Sequence, residues 1–193
     1  MTGAAVITGF RNDRDWEMMW APYDDPTYQM VLDEILVDDI VLEIGAGDLR
    51  LSRLLAKISQ LVYAVEIQPH ILENQTQPLP KNLIVINGNA LIIPYPEQIS
   101  AGVLLMRHCT HFQLYAERLK KMGCERLVTN ARWRLGVEVV HLQSERTPYS
   151  LVEMGWYACW CGSTGFIPGE TDKYTLEMDS KVNEVIGCPL CNE

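Results

Sequence analysis

Val41-Leu42-Glu43-Ile44-Gly45-Ala46-Gly47-Asp48 reads as a buried strand breaking into a glycine turn. Leu51, Leu54, Leu55 and Ile58 follow at helical spacing, so a helix with one buried stripe starts directly behind the turn. Its N-terminus then faces whatever the turn cradles. The next apolar run, Leu61-Val62-Tyr63-Ala64-Val65, ends on Glu66, about 20 residues beyond the turn. Glycines let a backbone approach a ligand closely, and a carboxylate at that distance can accept two hydrogen bonds from a ribose. The pair points to a nucleoside cofactor. A dinucleotide site would carry G-x-G-x-x-G, whereas Gly45-Ala46-Gly47-Asp48-Leu49-Arg50 has no third glycine in that place.

Outward from this stretch, helical and strand patterns alternate. Asp25-Pro26 looks like a cap and first-turn proline for a helix over 26–36, carried by Tyr28, Val31, Leu32 and Ile35. Strands are expected at 40–44, 61–66, 82–86, 101–106 and 126–131. Helices are expected near 69–75 and through Phe112, Tyr115, Leu119 and Met122. Strands separated by helices make an α/β fold with a parallel sheet covered on both faces. Past residue 135 the pattern changes: 137–142 and 149–160 read as strands in hairpin order. The organisation expected is an N-terminal cap segment (1–25), where Trp16, Met18, Met19 and Trp20 are too apolar for a free tail, a cofactor-binding domain (26–150) and a cysteine-rich element (151–193).

Three stretches in order resemble the class I S-adenosylmethionine-dependent methyltransferases. Glu43 ahead of Gly45-Ala46-Gly47 is similar to their first motif, and Tyr63-Ala64-Val65-Glu66-Ile67-Gln68-Pro69 to their second. Leu83-Ile84-Val85-Ile86-Asn87-Gly88-Asn89-Ala90 is similar to the third. The resemblance covers roughly residues 25 to 135. It implies a doubly wound, mostly parallel Rossmann-like methyltransferase sheet that binds S-adenosylmethionine. The cofactor-binding residues it implies are Glu43, Gly45, Ala46, Gly47, Asp48, Glu66, Ile67, Gly88, Asn89, Ala90 and Arg107. Among them Glu66 would take the ribose, Asn89 the adenine amino group, and Glu43 a cationic amino or sulfonium group. Leu49 stands where the family often has glycine and is expected to restrict the turn. Asn89 replaces the usual Asp, keeping an acceptor and adding a donor.

The acceptor site of this family lies beyond the fourth strand, here Met106-Arg107-His108-Cys109-Thr110-His111. Methyl transfer needs mainly in-line alignment, with a base only where the nucleophile must lose a proton. His108 and His111 are the candidates for that base or for orienting a substrate; surface or satisfied core histidines are the alternative. The first motif with Asn87-Gly88-Asn89-Ala90-Leu91 is similar to rRNA adenine dimethyltransferases. The Asn/Asp-Pro-Pro-Tyr-like motif of adenine N6 methylation is missing after Arg107, which argues against that reaction.

Cys159-Trp160-Cys161 and Cys188-Pro189-Leu190-Cys191 hold four of the six cysteines. Two close pairs with a hairpin-sized insert match a structural zinc site of four cysteines, although C-x-C departs from the commonest C-x-x-C knuckle. A zinc-ribbon-like C-terminal appendage is therefore expected, with an iron–sulfur cluster, a redox pair or unligated thiols as the other readings. Cys109 and Cys124 are expected to be core thiols.

The chain has 193 residues and a net charge of −9, which argues against strong nonspecific nucleic-acid binding. Its apolar runs are too short to span a membrane, and the N-terminus lacks a basic leader, so a cytoplasmic protein is expected. Charge is uneven. Arg107, Arg118, Lys120, Lys121, Arg126, Arg132 and Arg134 cluster within one stretch, either as a solvated face or as a patch for an anionic substrate. Three functions remain open: methyl transfer to an unidentified protein, small-molecule or RNA acceptor; a catalytically silent cofactor-binding protein with a zinc-ribbon interaction element; and an RNA methyltransferase using the basic stretch as a phosphate track.

Overall fold

The computed structural model describes residues 22–73, 77–107, 109–133 and 136–192. Residues 1–21, which make up most of the expected cap segment, lie outside the described residues. The chain enters at helix α1 (Asp25–Leu32). Its cap is Asp24 rather than Asp25: extended at φ −78° and ψ 162°, it accepts the Thr27 amide at 3.0 Å. The helix also stops earlier than its apolar spacing predicted. Asp39 accepts the Leu36 amide at 2.7 Å and pulls the following residues into turns, leaving Leu36 and Val37 exposed.

Six strands form the main sheet: β1 (Ile40–Ile44), β2 (Leu61–Glu66), β3 (Leu83–Asn87), β4 (Ala101–Leu104), β5 (Arg126–Thr129) and β6 (Glu138–His141). Their order is β3-β2-β1-β4-β5-β6. All neighbours are parallel except β6, which runs antiparallel to β5 at the edge. The chain reverses direction of winding between β1 and β4, so a crevice opens at the carboxyl ends of these strands. Helices α2 (Arg50–Ile58), α3 (Pro69–Glu73) and α4 (Phe112–Lys121) connect them. One apolar cluster lies on the α1–α2 side, with Val31, Val41, Leu55, Val62 and Val103 fully buried. The other lies on the α4 side, around Leu42, Leu104, Phe112, Leu119 and Leu127. At the amino ends of the strands Asp39 accepts Ser100 Oγ at 2.6 Å and pairs with Arg126, fastening β1, β4 and β5 together.

The strand pattern at 149–160 does not extend the main sheet. Instead β7 (Thr147–Pro148), β8 (Gly155–Cys159), β9 (Thr164–Ile167) and β10 (Val182–Ile186) form a second sheet in the order β7-β10-β8-β9. Only β8 and β9 make a hairpin; β10 inserts parallel to both β7 and β8. The insert between the cysteine pairs is thus longer in structure than a simple hairpin, and also contains the short helix α5 (Leu176–Ser180).

Arg132 joins the two sheets. Its guanidinium is buried and donates to Glu138 at 2.8 and 2.7 Å and to Glu184 of β10 at 2.9 and 2.6 Å. Arg146 adds to the junction, 3.7 Å from Glu184 and stacked 4.0 Å from the Trp160 ring centroid. Removing one partner of a buried ionic cluster leaves the others uncompensated. Arg132→Ala is therefore expected to destabilise the protein by about 3 kcal/mol in urea denaturation. A loss within the ordinary surface range, below about 0.5 kcal/mol, would show that Arg132 does not join the sheets.

Candidate functional site

The glycine turn sits at the carboxyl end of β1. Gly45 (φ 78°) and Gly47 (φ 54°) are both in the left-handed region, which explains glycine at each. A side chain at Gly45 would also meet Met106, whose methyl carbon would lie 3.0 Å from an added Cβ. Leu49 does not restrict the turn as expected. It adopts the left-handed conformation itself, with φ 63° and ψ 15°, and directly precedes α2. Such a conformation costs a non-glycine residue about 1–2 kcal/mol. Full burial of the Leu49 side chain offsets that cost.

Glu66, at the end of β2, binds this turn. Its Oε2 accepts the Gly47 amide and its Oε1 the Gln68 amide, both at 2.8 Å. Its main-chain carbonyl accepts Gly88 N–H and Asn87 Nδ2, both at 2.9 Å. One residue thus ties together the carboxyl ends of β1, β2 and β3. Asp48 caps α2 through the Arg50 amide at 3.1 Å and pairs with the Arg50 side chain at 2.9 Å. Asn89 Oδ1 accepts Leu91 N–H at 2.8 Å, holding the turn after β3. Ile67 lies exposed beside Glu66.

Glu43 is buried next to these groups and accepts Ser52 Oγ at 2.5 Å. Burial pushes its carboxyl up to about 8, with the Ser52 hydroxyl opposing and the charges of Glu66 and Asp48 adding to the rise. The raised value favours its protonated form at neutral pH.

The structure brings Glu43, Gly45, Ala46, Gly47, Asp48, Glu66, Gly88, Asn89 and Ala90 into one connected set. Arg107 stands apart from that network. Its amide donates to the Tyr23 hydroxyl at 3.2 Å, and its guanidinium lies 4.6 Å from the Tyr23 ring centroid. His111 precedes α4, 3.4 Å from Thr110 Oγ1 and edge-on to Tyr115. His108 lies outside the described residues. Three residues of this region were missed in the sequence. Tyr23 packs on Arg107. Arg118 donates to the carbonyls of Ala90 (2.8 Å) and Ile93 and stacks 4.1 Å from the Tyr95 centroid, bracing the turn after β3. Asn130 is buried at the carboxyl end of β5, with no partner for Oδ1 among the described residues. Asn130 had a sequence signal as a polar residue ending an apolar strand, and Arg118 was named in the basic stretch for its charge alone.

Part of the expected phosphate track is engaged within the fold, whereas Arg107, Lys120 and Lys121 are exposed. Arg132 is buried between two glutamates, Arg126 is paired with Asp39, and Arg118 is engaged by main-chain carbonyls. These charges are neutralised or turned inward. Arg134 lies outside the described residues.

At the far end of the second sheet the parallel strands β8 and β10 finish side by side, with Cys159 in register with Val185. Cys159 and Cys161 therefore meet Cys188 and Cys191. All four sulfurs lie within 4.8 Å of one another, with Sγ···Sγ separations of 3.5, 3.6 and 3.7 Å for three of the pairs. A tetrahedral ion bound at about 2.3 Å requires sulfurs about 3.8 Å apart. Burial, reinforced by the neighbouring thiols, pushes Cys188 up to about 12, whereas at Cys161 hydrogen bonding with Ser163 and the neighbouring thiols outweighs burial and brings the thiol down to about 7. Cys124 is a fully buried core thiol and Cys109 packs against the same core.

Strand order and the single antiparallel edge decide the architecture. This is a doubly wound, Rossmann-like sheet with a cysteine cluster beyond it. No family model matches the chain. Over 56 residues it is 39% identical to the probable ribosomal RNA small subunit methyltransferase A of Pyrobaculum islandicum, a stretch that makes up 29% of this chain and 24% of that protein. The chain thus matches about a quarter of the relative's length. Two solved structures are similar in fold. The 23S rRNA methyltransferase ErmE is 24% identical, with 55% of this chain and 46% of that one covered and a TM-score of 0.47. The tRNA (m1A58) methyltransferase TrmI from Aquifex aeolicus is 20% identical, with 58% and 48% covered and a TM-score of 0.48. Among the described residues no helix is long and apolar enough to cross a membrane.

The raised Glu43 carboxyl has a stability consequence. Protonated when folded and ionised when unfolded, it makes stability fall as pH rises from about 4.5 to about 8. Glu43→Gln, which keeps an acceptor for Ser52, is expected to flatten that slope. The variant should equal the wild type near pH 4.5 and exceed it by roughly 4 kcal/mol near pH 8 in chemical denaturation. Parallel pH profiles for the two proteins would show that Glu43 is ionised in the fold.

Proposed function

We propose that this chain is an S-adenosylmethionine-dependent methyltransferase whose second sheet is stapled by a structural zinc ion. The observation that carries the reading is the buried Glu66 carboxylate bound to the glycine turn at the point where the winding of the sheet reverses. The residues fit the cofactor. A positive-φ glycine faces Met106 where any side chain would intrude, and a buried carboxylate lies one strand away. Glu66 holds the ribose hydroxyls, with Ile67 and the Asn89-Ala90 turn flanking the adenine. The backbone of Gly45, Ala46 and Gly47 lies along the methionine portion. Asp48 and Glu43 face its cationic groups, and a bound ammonium or sulfonium would bring Glu43 back to its ionised form. The cofactor supplies an activated methyl group on sulfur; the chain supplies alignment and exclusion of water. Arg107, stacked on Tyr23, stands at the acceptor entrance. His111, and His108 by its neighbouring position in the sequence, would take a proton from an acceptor that must lose one.

The donor set of Cys159, Cys161, Cys188 and Cys191 suits zinc, because four thiolates at tetrahedral spacing leave no open position. Bound there, the ion would supply folding energy to a sheet with little apolar core of its own. The acceptor is less constrained. The relative in Pyrobaculum islandicum is described as acting on ribosomal RNA, which favours RNA as a second reading. The pairing of Arg126 and Arg132 within the fold removes two of the basic residues such a track would use, leaving Arg107, Lys120 and Lys121 exposed.

Thermal-shift and calorimetric titration with S-adenosylhomocysteine tests the cofactor. Wild-type protein should bind, and Glu66→Ala should lose affinity by about 100-fold while its circular dichroism stays native, since two charge-assisted bonds disappear. Binding unchanged in that variant would place the ligand elsewhere. For the metal, mass spectrometry should find one zinc per chain, lost in Cys188→Ser. Chelation should release hydrogen-exchange protection in β8–β10 while β1–β5 remain protected. A metal-free protein with a protected second sheet would remove the zinc reading.

A further inference from the structure

The second sheet carries an aromatic ladder that none of the functions above uses. Trp156 of β8 is in register with Phe166 of β9 and Val182 of β10, so the three share one face. Glu184 lies two residues beyond Val182, on that same face, where it meets Arg132. The inner end of the face is therefore pinned to the carboxyl end of β5, while its outer end is open. Along it the rings make a chain of edge-to-face contacts: Trp133 to Trp156 at 6.2 Å, Trp156 to Phe166 at 5.1 Å, and Phe166 to Tyr174 at 5.8 Å. Phe166 is 37% exposed, Tyr174 41% and Leu176 88%. The ladder starts where a parallel sheet presents ligands, at the carboxyl ends of its strands, and runs outward from there.

Charge says what this face accepts. Glu153, Glu170, Asp172, Glu177 and Asp179 are exposed on the second sheet's segment, against Lys173, which is paired to Glu170 at 2.8 Å, and Lys181. Asp179 is built into the ladder itself, accepting Trp156 Nε1 at 3.3 Å and the Tyr174 hydroxyl. Aromatic rings alone would also stack nucleobases. A phosphate backbone laid along this face would run past the carboxylates, whereas lysine and arginine side chains gain from both the ring faces and the charge.

We propose that the Trp133–Trp156–Phe166–Tyr174 face docks a lysine- and arginine-rich protein segment and presents it to the acceptor end of the methyltransferase sheet. The second half of this inference rests on the cofactor reading above; the docking itself does not.

The test uses the full zinc-loaded chain, a fluorescently labelled Lys/Arg-rich peptide, a single-stranded RNA of matching length, and anisotropy at low and physiological salt. Phe166→Ala/Tyr174→Ala removes two exposed rings without touching the core, the cofactor residues or the net charge. The expected result is peptide binding that weakens about tenfold in the double variant, with little RNA binding by either protein. Because charge is unchanged, nonspecific attraction of a basic peptide to an acidic protein would survive the substitution. Equal peptide binding by both proteins, no peptide binding at all, or tighter binding of the RNA would each overturn the proposal. S-adenosylhomocysteine titration of the same samples separates the two claims. Cofactor binding without peptide binding removes the docking face alone. Peptide binding without cofactor binding keeps the face and removes the methyltransferase reading.

Discussion

Everything at the carboxyl end of the main sheet hangs on residue 66. Its side chain holds the turn after β1 and the segment leaving β2, and its carbonyl holds the turn after β3. A buried carboxylate is tolerated only when hydrogen bonds compensate it. The two amides at 2.8 Å do so without consuming all of its lone pairs. The same constraint explains Glu43, one strand away. Burial raises the Glu43 carboxyl to about 8, with the Ser52 hydroxyl opposing and the charges of Glu66 and Asp48 adding to the rise.

The second sheet is held largely by chemistry other than apolar packing. Its small core centres on Tyr157, Cys159, Val185 and Cys188. At one end the four cysteines converge because β8 and β10 run parallel and stop together. Beside them, Arg132 and Arg146 converge on Glu184, which is in register with Ala158 next to Cys159. Trp160, between Cys159 and Cys161, touches both Arg146 and Lys120 of α4 and so couples the cluster to the main domain. The sheet is thereby fixed to the methyltransferase-like body, and its aromatic face has a defined position relative to β5.

Much of this was legible in the sequence because it is local. The glycine turn, the carboxylate closing the next strand and the two cysteine pairs each depend on residues close together in the chain, and their periodicities placed β1 to β5 within a few residues. What was illegible depends on distant partners. Arg132 read as a solvated or phosphate-binding charge because Glu184 lies 52 residues away. The segment 149–160 read as an edge of the main sheet, since no local pattern shows that β10 will insert beside β8. The end of α1 was overrun because the Asp39 side chain, not a helix-breaking residue, terminates it. Leu49 looked like an obstacle because turn preferences assume exposure, and burial of its side chain reverses the balance.

The central claim is that the crevice bounded by the Gly47, Gln68 and Asn89–Ala90 turns receives the cofactor. It is tested most directly by amide chemical shifts of isotopically labelled protein titrated with S-adenosylhomocysteine. The ribose hydroxyls should compete for the Glu66 carboxylate, so the largest changes are predicted at Gly47 and Gln68, followed by Asn89 and Ala90, with the second sheet unaffected. Saturable binding that leaves the Gly47 and Gln68 amides unmoved would contradict the account.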